Sequence, residues 1–386
     1  MLIGIDASRV AVARRTGTER YALEITRALI AAAPGDRFVL YFNRRPRIGL
    51  LPRVERVAWR VMPAPRLWTH LRLSLELARR PPDVLFVPAH SLPVYHPPAS
   101  VATVHDLGYL RFPDEHAGTG RRARDWANRW SARHARRVIA VSGATRDDLV
   151  RAYGVPPARI AVVRHGLDPV FRPVDDGERR RIRARYKLDA PYFLFVGTLQ
   201  PRKNYERLLR AFDRFAIGDS THQLVLVGGH GWQADRLERA LRLMHARASV
   251  RVLGYVEDAD LPALYGGAVA LAFPSLYEGF GLPALEAMGC GTPVLASNSS
   301  SLPEVVGDAG LLVDPLDIDA IADALSRLAS DEPLRRELGE RGRARAASST
   351  WERAARETLA QLRVATEPVV QSVREAHPGR QAGRPG

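Results

Sequence analysis

Short apolar, β-branched runs alternate along this chain with longer stretches whose apolar residues recur every three or four positions. The short runs predict strands at Leu2–Ala7, Arg37–Phe42, Asp83–Pro88, Val101–His105 and Arg137–Ser142. A second series is predicted at Tyr192–Gly197, Gln223–Gly228, Val250–Tyr255, Val269–Pro274, Pro293–Ser297 and Leu311–Asp314. Helical periodicity fills the gaps, as at Arg20–Ala33, Gly143–Tyr153, Tyr205–Phe215 and Asp317–Leu328. Strands alternating with helices imply βαβ units and parallel sheets. The series restarts near residue 190, after a charged, proline-bearing stretch from Asp168 to Arg185 that reads as a connection. The predicted fold is α/β, with two Rossmann-like domains at 1–170 and 171–348. Ligands of open parallel sheets sit outside the carboxyl ends of the strands, so two such domains would share a cleft. A last helix, Trp351–Val364, opens on Ser349-Thr-Trp-Glu352, which matches a capping box. Residues 367–386 lose periodicity, become rich in Pro, Gly, Arg and Gln, and are expected to form a disordered tail.

Composition narrows this picture. The 386 residues exceed what one core usually organises, and 46% of them are hydrophobic, enough for two. A lone cysteine, Cys290, excludes an intramolecular disulfide framework and suits a reducing compartment. The chain opens directly on a strand pattern, and no uncharged apolar run approaches the ~20 residues that cross a bilayer. The expectation is a cytoplasmic protein, at most peripheral at the inner face of the membrane. The net charge is +15, yet only Lys187 and Lys203 among the 57 basic residues are lysine. So strong an arginine bias is explained most simply by coding composition. The field it creates attracts phosphates, anionic lipids and nucleic acid alike.

Two segments carry chemistry. In Pro274-Ser-Leu-Tyr-Glu278-Gly-Phe-Gly-Leu-Pro283-Ala-Leu-Glu286, a buried strand runs into a glycine loop and then a helix opening on Pro283. The amides of Gly279, Phe280 and Gly281, together with the helix N-terminus, form an anion site suited to a diphosphate. Glu278 is placed to accept hydrogen bonds from sugar hydroxyls, and Glu286 from a ribose diol. The plainer alternative makes Glu278 a solvated loop charge and Glu286 a complement to the helix dipole. The other segment, Gly197-Thr-Leu-Gln-Pro-Arg202-Lys203-Asn204, puts a bidentate guanidinium beside a compact ammonium, a pair able to neutralise a leaving diphosphate. One of the chain's two lysines stands here, which disfavours an ordinary exposed basic loop.

These two segments together closely resemble family 4 glycosyltransferases, retaining enzymes of the GT-B fold. The resemblance runs from residue 1 to about 365 and takes in Val104-His105-Asp106-Leu107, Arg111-Phe-Pro113, Val141-Ser142 and Arg164-His-Gly166. It implies a nucleotide-sugar donor, with Glu278 on the transferred sugar and Glu286 on the nucleoside ribose. Arg202, Lys203 and the amides of Phe280 and Gly281 would hold the diphosphate, with Gly197, Gly279 and Leu282 completing the donor side. His105 would line the sugar pocket, with Gly17 and Asp106 on the acceptor side. Glu278, His105, Lys203 and Arg202 are the candidate catalytic groups. Ser142 is a weaker cleft candidate that serves equally as a helix N-cap. The closing helix, at 351–365, would cross back onto the first domain. No cofactor or metal is implied. The His105–Pro113 stretch resembles relatives that use GDP-mannose in surface polysaccharide synthesis, with UDP- or dTDP-sugars as alternatives and a glycan or lipid-linked acceptor.

The chain departs from the family where relatives carry a glycine-rich loop after the first strand. Arg14 and Arg15 precede a single glycine, Gly17, and Thr16 with Glu19 matches a capping box. The two arginines are placed either to meet an acceptor phosphate or to lie in solvent. Asp258-Ala-Asp260 spells a metal motif of a different glycosyltransferase fold, but its position before a helix favours a carboxylate cap. In Arg121–Arg137, Trp126 and Trp130 are expected to pack into the core, the alternative being an anionic membrane surface. A sugar-nucleotide epimerase on the same fold is the alternative function. A nucleic-acid-binding protein is disfavoured, because the basic residues are scattered and no recognition motif accompanies them.

Overall fold

The computed structural model describes residues 1–12, 16–64, 67–89, 91–112, 119–219, 221–229 and 234–368. Arg14, Arg15, Pro113 and all but the first two residues of the expected tail lie outside them. The first sheet is built from β1 (Leu2–Asp6), β2 (Arg37–Phe42), β3 (Val57–Val61), β4 (Val84–Val87), β5 (Ser100–Val104), β6 (Arg137–Ala140) and β7 (Ile160–Val162). Its order is β3-β2-β1-β4-β5-β6-β7, with every neighbouring pair parallel. The second holds β8 (Tyr192–Val196), β9 (Gln223–Val227), β10 (Val250–Gly254), β11 (Ala270–Phe273), β12 (Val294–Ser297) and β13 (Gly310–Val313). It is ordered β10-β9-β8-β11-β12-β13 and is also parallel throughout.

Alternation explains why central strands read as unbroken apolar runs. In β4, Val84 and Phe86 enter one core, while Leu85 and Val87 enter another on the opposite face. Strand order reverses between β1 and β4, and again between β8 and β11, which opens a crevice above each sheet at its carboxyl edge. The loops after β1, β5 and β6 of one sheet meet those after β8, β9 and β11 of the other.

Several expectations are corrected. Strands β3 and β7 were not predicted, because β3 is a half-exposed edge interrupted by Arg60 and β7 has three residues. The stretch read as a connection contains a helix, Asp176–Tyr186, whose only buried residue is Ile182, so it lacks an apolar stripe. The last helix, Trp351–Thr366, is capped by Thr350 rather than Ser349. Asp260 occupies a helix N-cap position, but its carboxylate caps nothing: it accepts from the Tyr186 hydroxyl at 2.8 Å and pairs with Arg181 and Arg185. Trp130 packs partly against the core, whereas Trp126 stays 47% exposed and stacks on it.

The helix Trp351–Thr366 lies against the helix Gly17–Ala32 and buries Trp351, Ala355, Leu359 and Leu362 in the first sheet's core. Its entry is tight. Leu167 donates its amide to the Ser349 carbonyl at 2.7 Å, and a Cβ on Gly166 would sit 2.3 Å from the Trp351 nitrogen. Backbone cannot rotate away as a side chain can, so Gly166→Ala should cost about 3 kcal/mol, the upper end for overpacking. Gly120→Ala, at the second residue of the helix Thr119–His134 with no described atom within 4 Å of the added Cβ, should instead stabilise by up to about 0.5 kcal/mol. Opposite shifts in thermal midpoint for the two variants are the expected result.

Candidate active site in the interdomain cleft

The loop after β11 is held from both sides. Ser301 donates to the carbonyls of Glu278 and Phe280 at 2.9 and 2.7 Å, and the Glu278 amide donates to the Ser300 hydroxyl. Across the cleft, the Ser142 hydroxyl donates to the Gly279 carbonyl at 2.6 Å while accepting the Thr145 amide as N-cap of the helix Gly143–Tyr153. Ser142 is therefore the N-cap, the alternative to a cleft role, and it also ties the two domains together. A Cβ on Gly279 would lie 2.0 Å from the His105 carbonyl, so only glycine lets the two domains approach this closely. Tyr277 extends the seam by donating to Asp148 and accepting the Leu107 amide. Glu304, from the second domain, accepts the Gly143 and Ala144 amides at 2.9 and 2.8 Å and so caps a helix of the first.

The cleft behind this seam has a volume of about 510 Å³. The twelve residues given donor, catalytic or acceptor roles from the sequence all line it: Gly17, His105, Asp106, Gly197, Arg202, Lys203, Glu278, Gly279, Phe280, Gly281, Leu282 and Glu286; Ser142 does not. A hollow of about 680 Å³ beside β3, around Trp59 and Ile48, contains none of them.

Glu278 is buried, contrary to the solvated-loop alternative. Its carboxylate accepts from Lys203 Nζ at 2.6 Å and lies 3.5 Å from Arg202 Nη1, which also donates to the Tyr277 carbonyl. Lys203 is buried too, with its ammonium 5.2 Å from the centre of the Phe273 ring. Burial pulls the ammonium below its ordinary pKa, and Glu278 opposes that pull. The two loops are joined by backbone as well: Leu276 donates to the Arg202 carbonyl, and Asn204 donates to the carbonyls of Pro274 and Pro315.

Glu286 lies in the helix Leu282–Gly289, which begins one residue before the expected Pro283. Its Oε1 accepts from Arg20 Nη1 at 2.9 Å and its Oε2 from the Tyr265 hydroxyl at 2.9 Å. Arg20 also reaches Asp258 at 3.0 Å. Burial raises the Glu286 pKa above the ordinary carboxylate value, with Arg20 the largest opposing influence. Asp258 and Asp260 thus serve separate ion pairs. Among the described residues, no group of three or more His, Cys, Asp or Glu side chains is placed to hold a metal ion.

His105 Nε2 lies 2.8 Å from the Pro88 carbonyl. A carbonyl only accepts, so Nε2 carries the proton, and burial keeps the ring neutral by lowering its pKa. Nδ1 is then an acceptor. Asp106 turns inward to accept the Gly108 amide. Sequence reasoning missed Arg20 and His165. The latter is buried, stacked 4.7 Å from Phe280, and neither ring nitrogen has a hydrogen-bond partner within the protein. Arg20 follows the Thr16–Glu19 capping box on the first turn of its helix, a position that alone does not distinguish it from a solvated arginine.

Comparison with known proteins gives this geometry a family. Residues 15–171 match the model described as Glycosyltransferase Family 4, and residues 178–345 that described as Glycosyl transferases group 1. O-antigen chain mannosyltransferase B of Escherichia coli is 33% identical over 370 residues, 89% of this chain and 95% of that protein. Sucrose-phosphate synthase from Thermosynechococcus elongatus has a similar fold, with a TM-score of 0.73 and 24% identity over 94% of this chain and 98% of that one. Anabaena Alr3699/HepE, solved in complex with UDP and glucose, gives 0.72 and 19% over 93% and 99%. The chain belongs to family 4 of the group 1 glycosyltransferases and is a glycosyltransferase of the GT-B fold.

Proposed function

We propose that this protein is a retaining hexosyltransferase that moves mannose from GDP-mannose to a glycan or lipid-linked acceptor in surface polysaccharide synthesis. The observation that carries the donor reading is the convergence of Lys203–Glu278 and Arg20–Glu286 on one cleft, eight residues apart along a single loop and helix. The similarity to an O-antigen mannosyltransferase supports mannose, and the nucleotide in the Anabaena structure supports a nucleotide-sugar donor.

In this reading Glu286 accepts the ribose diol and Glu278 the hydroxyls of the transferred sugar. Arg202, Lys203 and the amides of Phe280 and Gly281 receive the diphosphate. As the bond from the anomeric carbon to the diphosphate oxygen breaks, negative charge grows on that oxygen. The two cations stabilise it most in the transition state. Of the described carboxylates that line the cleft, Glu278, Glu286 and Asp258 are engaged in ion pairs and Asp106 accepts the Gly108 amide. In the front-face course that the family resemblance implies, the acceptor oxygen attacks from the face the leaving group vacates, and its proton passes to the departing phosphate. The cations take the role a metal fills elsewhere, so the reaction is read as metal-free. Neutral His105, with Nδ1 as acceptor, orients a hydroxyl in the sugar pocket.

Peripheral contact with an anionic bilayer belongs to the same reading. No helix among the described residues is long and apolar enough to cross a membrane. However, Leu67, Leu71 and Trp126 are 65%, 63% and 47% exposed, and His70 meets Trp126 ring to ring at 5.1 Å, which brings their two segments together. Arg121, Arg122 and Arg129 of the helix that carries Trp126 are exposed as well.

Three outcomes are expected. GDP should raise the thermal midpoint of the purified protein more than UDP or dTDP, because binding to the native state alone stabilises it. Lys203→Ala and Glu278→Gln should each cut sugar transfer by about 100-fold or more while the fold persists, and wild-type turnover in both would refute the assignment. Trp126→Ser combined with Leu71→Ser should reduce sedimentation with anionic vesicles and leave the nucleotide shift unchanged.

A further inference from the structure

Arg20 crosses from the first domain to the second and occupies the place that the donor reading gives to ribose. It projects from the first turn of the helix Gly17–Ala32, whose start is fixed by reciprocal contacts between Thr16 and Glu19. Its guanidinium lies 5.6 Å from the centre of the Phe171 ring and sends one nitrogen to Glu286 and the other to Asp258. Tyr265, fully buried, holds the far oxygen of Glu286. Both carboxylate oxygens are thus engaged by groups of the protein. A diol approaching from the cleft competes with Arg20, not with Tyr265.

We infer that Arg20 is a positioning residue that keeps Glu286 ready for the donor, yielding the carboxylate to the ribose on entry and remaining on Asp258. This rests on Glu286 being the ribose-binding group. The exposed Asp258 explains why a forked cation suits this position: one arm can be released while the other stays anchored. The exchange at Glu286 needs no proton transfer, and the two domains stay joined by a contact that donor binding weakens but does not remove.

The groups facing Glu286 decide what loss of Arg20 does. They are Arg20 from the opening helix, Asp258 before the helix Leu261–Gly266, Tyr265 within it, Asp168 after β7, and Cys290 at the end of its own helix. Arg20 is the sole cation among these named groups. Burial already raises the Glu286 pKa, so removing Arg20 raises it further and leaves the carboxyl protonated over more of the acidic range. A protonated carboxyl turns one of its two oxygens into a donor and so no longer offers a diol two full acceptors.

The test is calorimetric titration of GDP, UDP and dTDP into wild type, Arg20→Met, Arg20→Lys and Glu286→Gln, from pH about 8 down to about 5. Phosphate titration is common to all four proteins and cancels in the comparison. Expected for the nucleotide that binds is a Glu286→Gln affinity about tenfold or more below wild type at pH 8. Arg20→Met should bind as tightly as wild type, or more tightly, near pH 8 and fall about tenfold relative to it as pH drops. Arg20→Lys should track wild type. An Arg20→Met profile parallel to wild type overturns the inference, as does an equal loss at every pH, which would mark direct contact with the nucleotide. Wild-type affinity in Glu286→Gln, or no binding of any nucleotide to wild type, overturns the donor reading instead.

Discussion

Two carboxylates buried in one cleft set the terms for everything around them. Glu278 and Glu286 are each 6% exposed, and an ionised carboxylate removed from water is costly unless a cation or several donors meet it. The chain supplies a cation for each from a different direction. Lys203 comes from the same domain, on a loop zipped to that of Glu278 by backbone hydrogen bonds. Arg20 comes from the other domain. One glutamate is therefore balanced whether or not the domains are together, whereas the other is balanced only when they are. That asymmetry makes the Glu286 end of the cleft the part most sensitive to relative domain position.

The seam that holds the domains together is built from backbone as much as from side chains. Gly279 presses on the His105 carbonyl, Ser142 reaches across to the Gly279 carbonyl, and Glu304 caps a helix that is not its own. The first two of these contacts touch the segment that carries Glu278, and the first also touches the strand end that carries His105. Closing the seam thus places the two candidate walls of the sugar pocket relative to each other. Preorganisation of this kind is what charge stabilisation in a transition state requires.

Sequence periodicity revealed most strands because parallel strands buried on both faces leave a continuous apolar run, as Val84–Val87 does. It failed at β3 and β7, where an edge position or a length of three residues erases the run. It also failed at Asp176–Tyr186, a helix that buries Ile182 alone and so carries no stripe. In the site, the groups displayed on glycine loops were legible because such loops have few structural reasons to hold charge. Arg20 was not, for a physical reason: in a chain with so many arginines, one more on a helix resembles solvated surface. Only the fold brings it within hydrogen-bond distance of a residue 266 positions away. Asp260 shows the reverse error, where a local capping rule lost to a tertiary ion pair with Arg181 and Arg185.

The arginine bias itself sharpens the reading of Lys203. A guanidinium is broad and planar, and it needs partners for up to five N–H donors. Arg202 meets that need partly outside the pocket, through the Tyr277 carbonyl. At position 203 the space is bounded by the Phe273 ring on one side and Glu278 on the other, and the side chain is 11% exposed. A compact ammonium fits that box with one strong ion pair and the face of a ring, and it leaves no N–H stranded in a fixed plane. A composition that supplies arginine almost everywhere else yields here to the shape of the site.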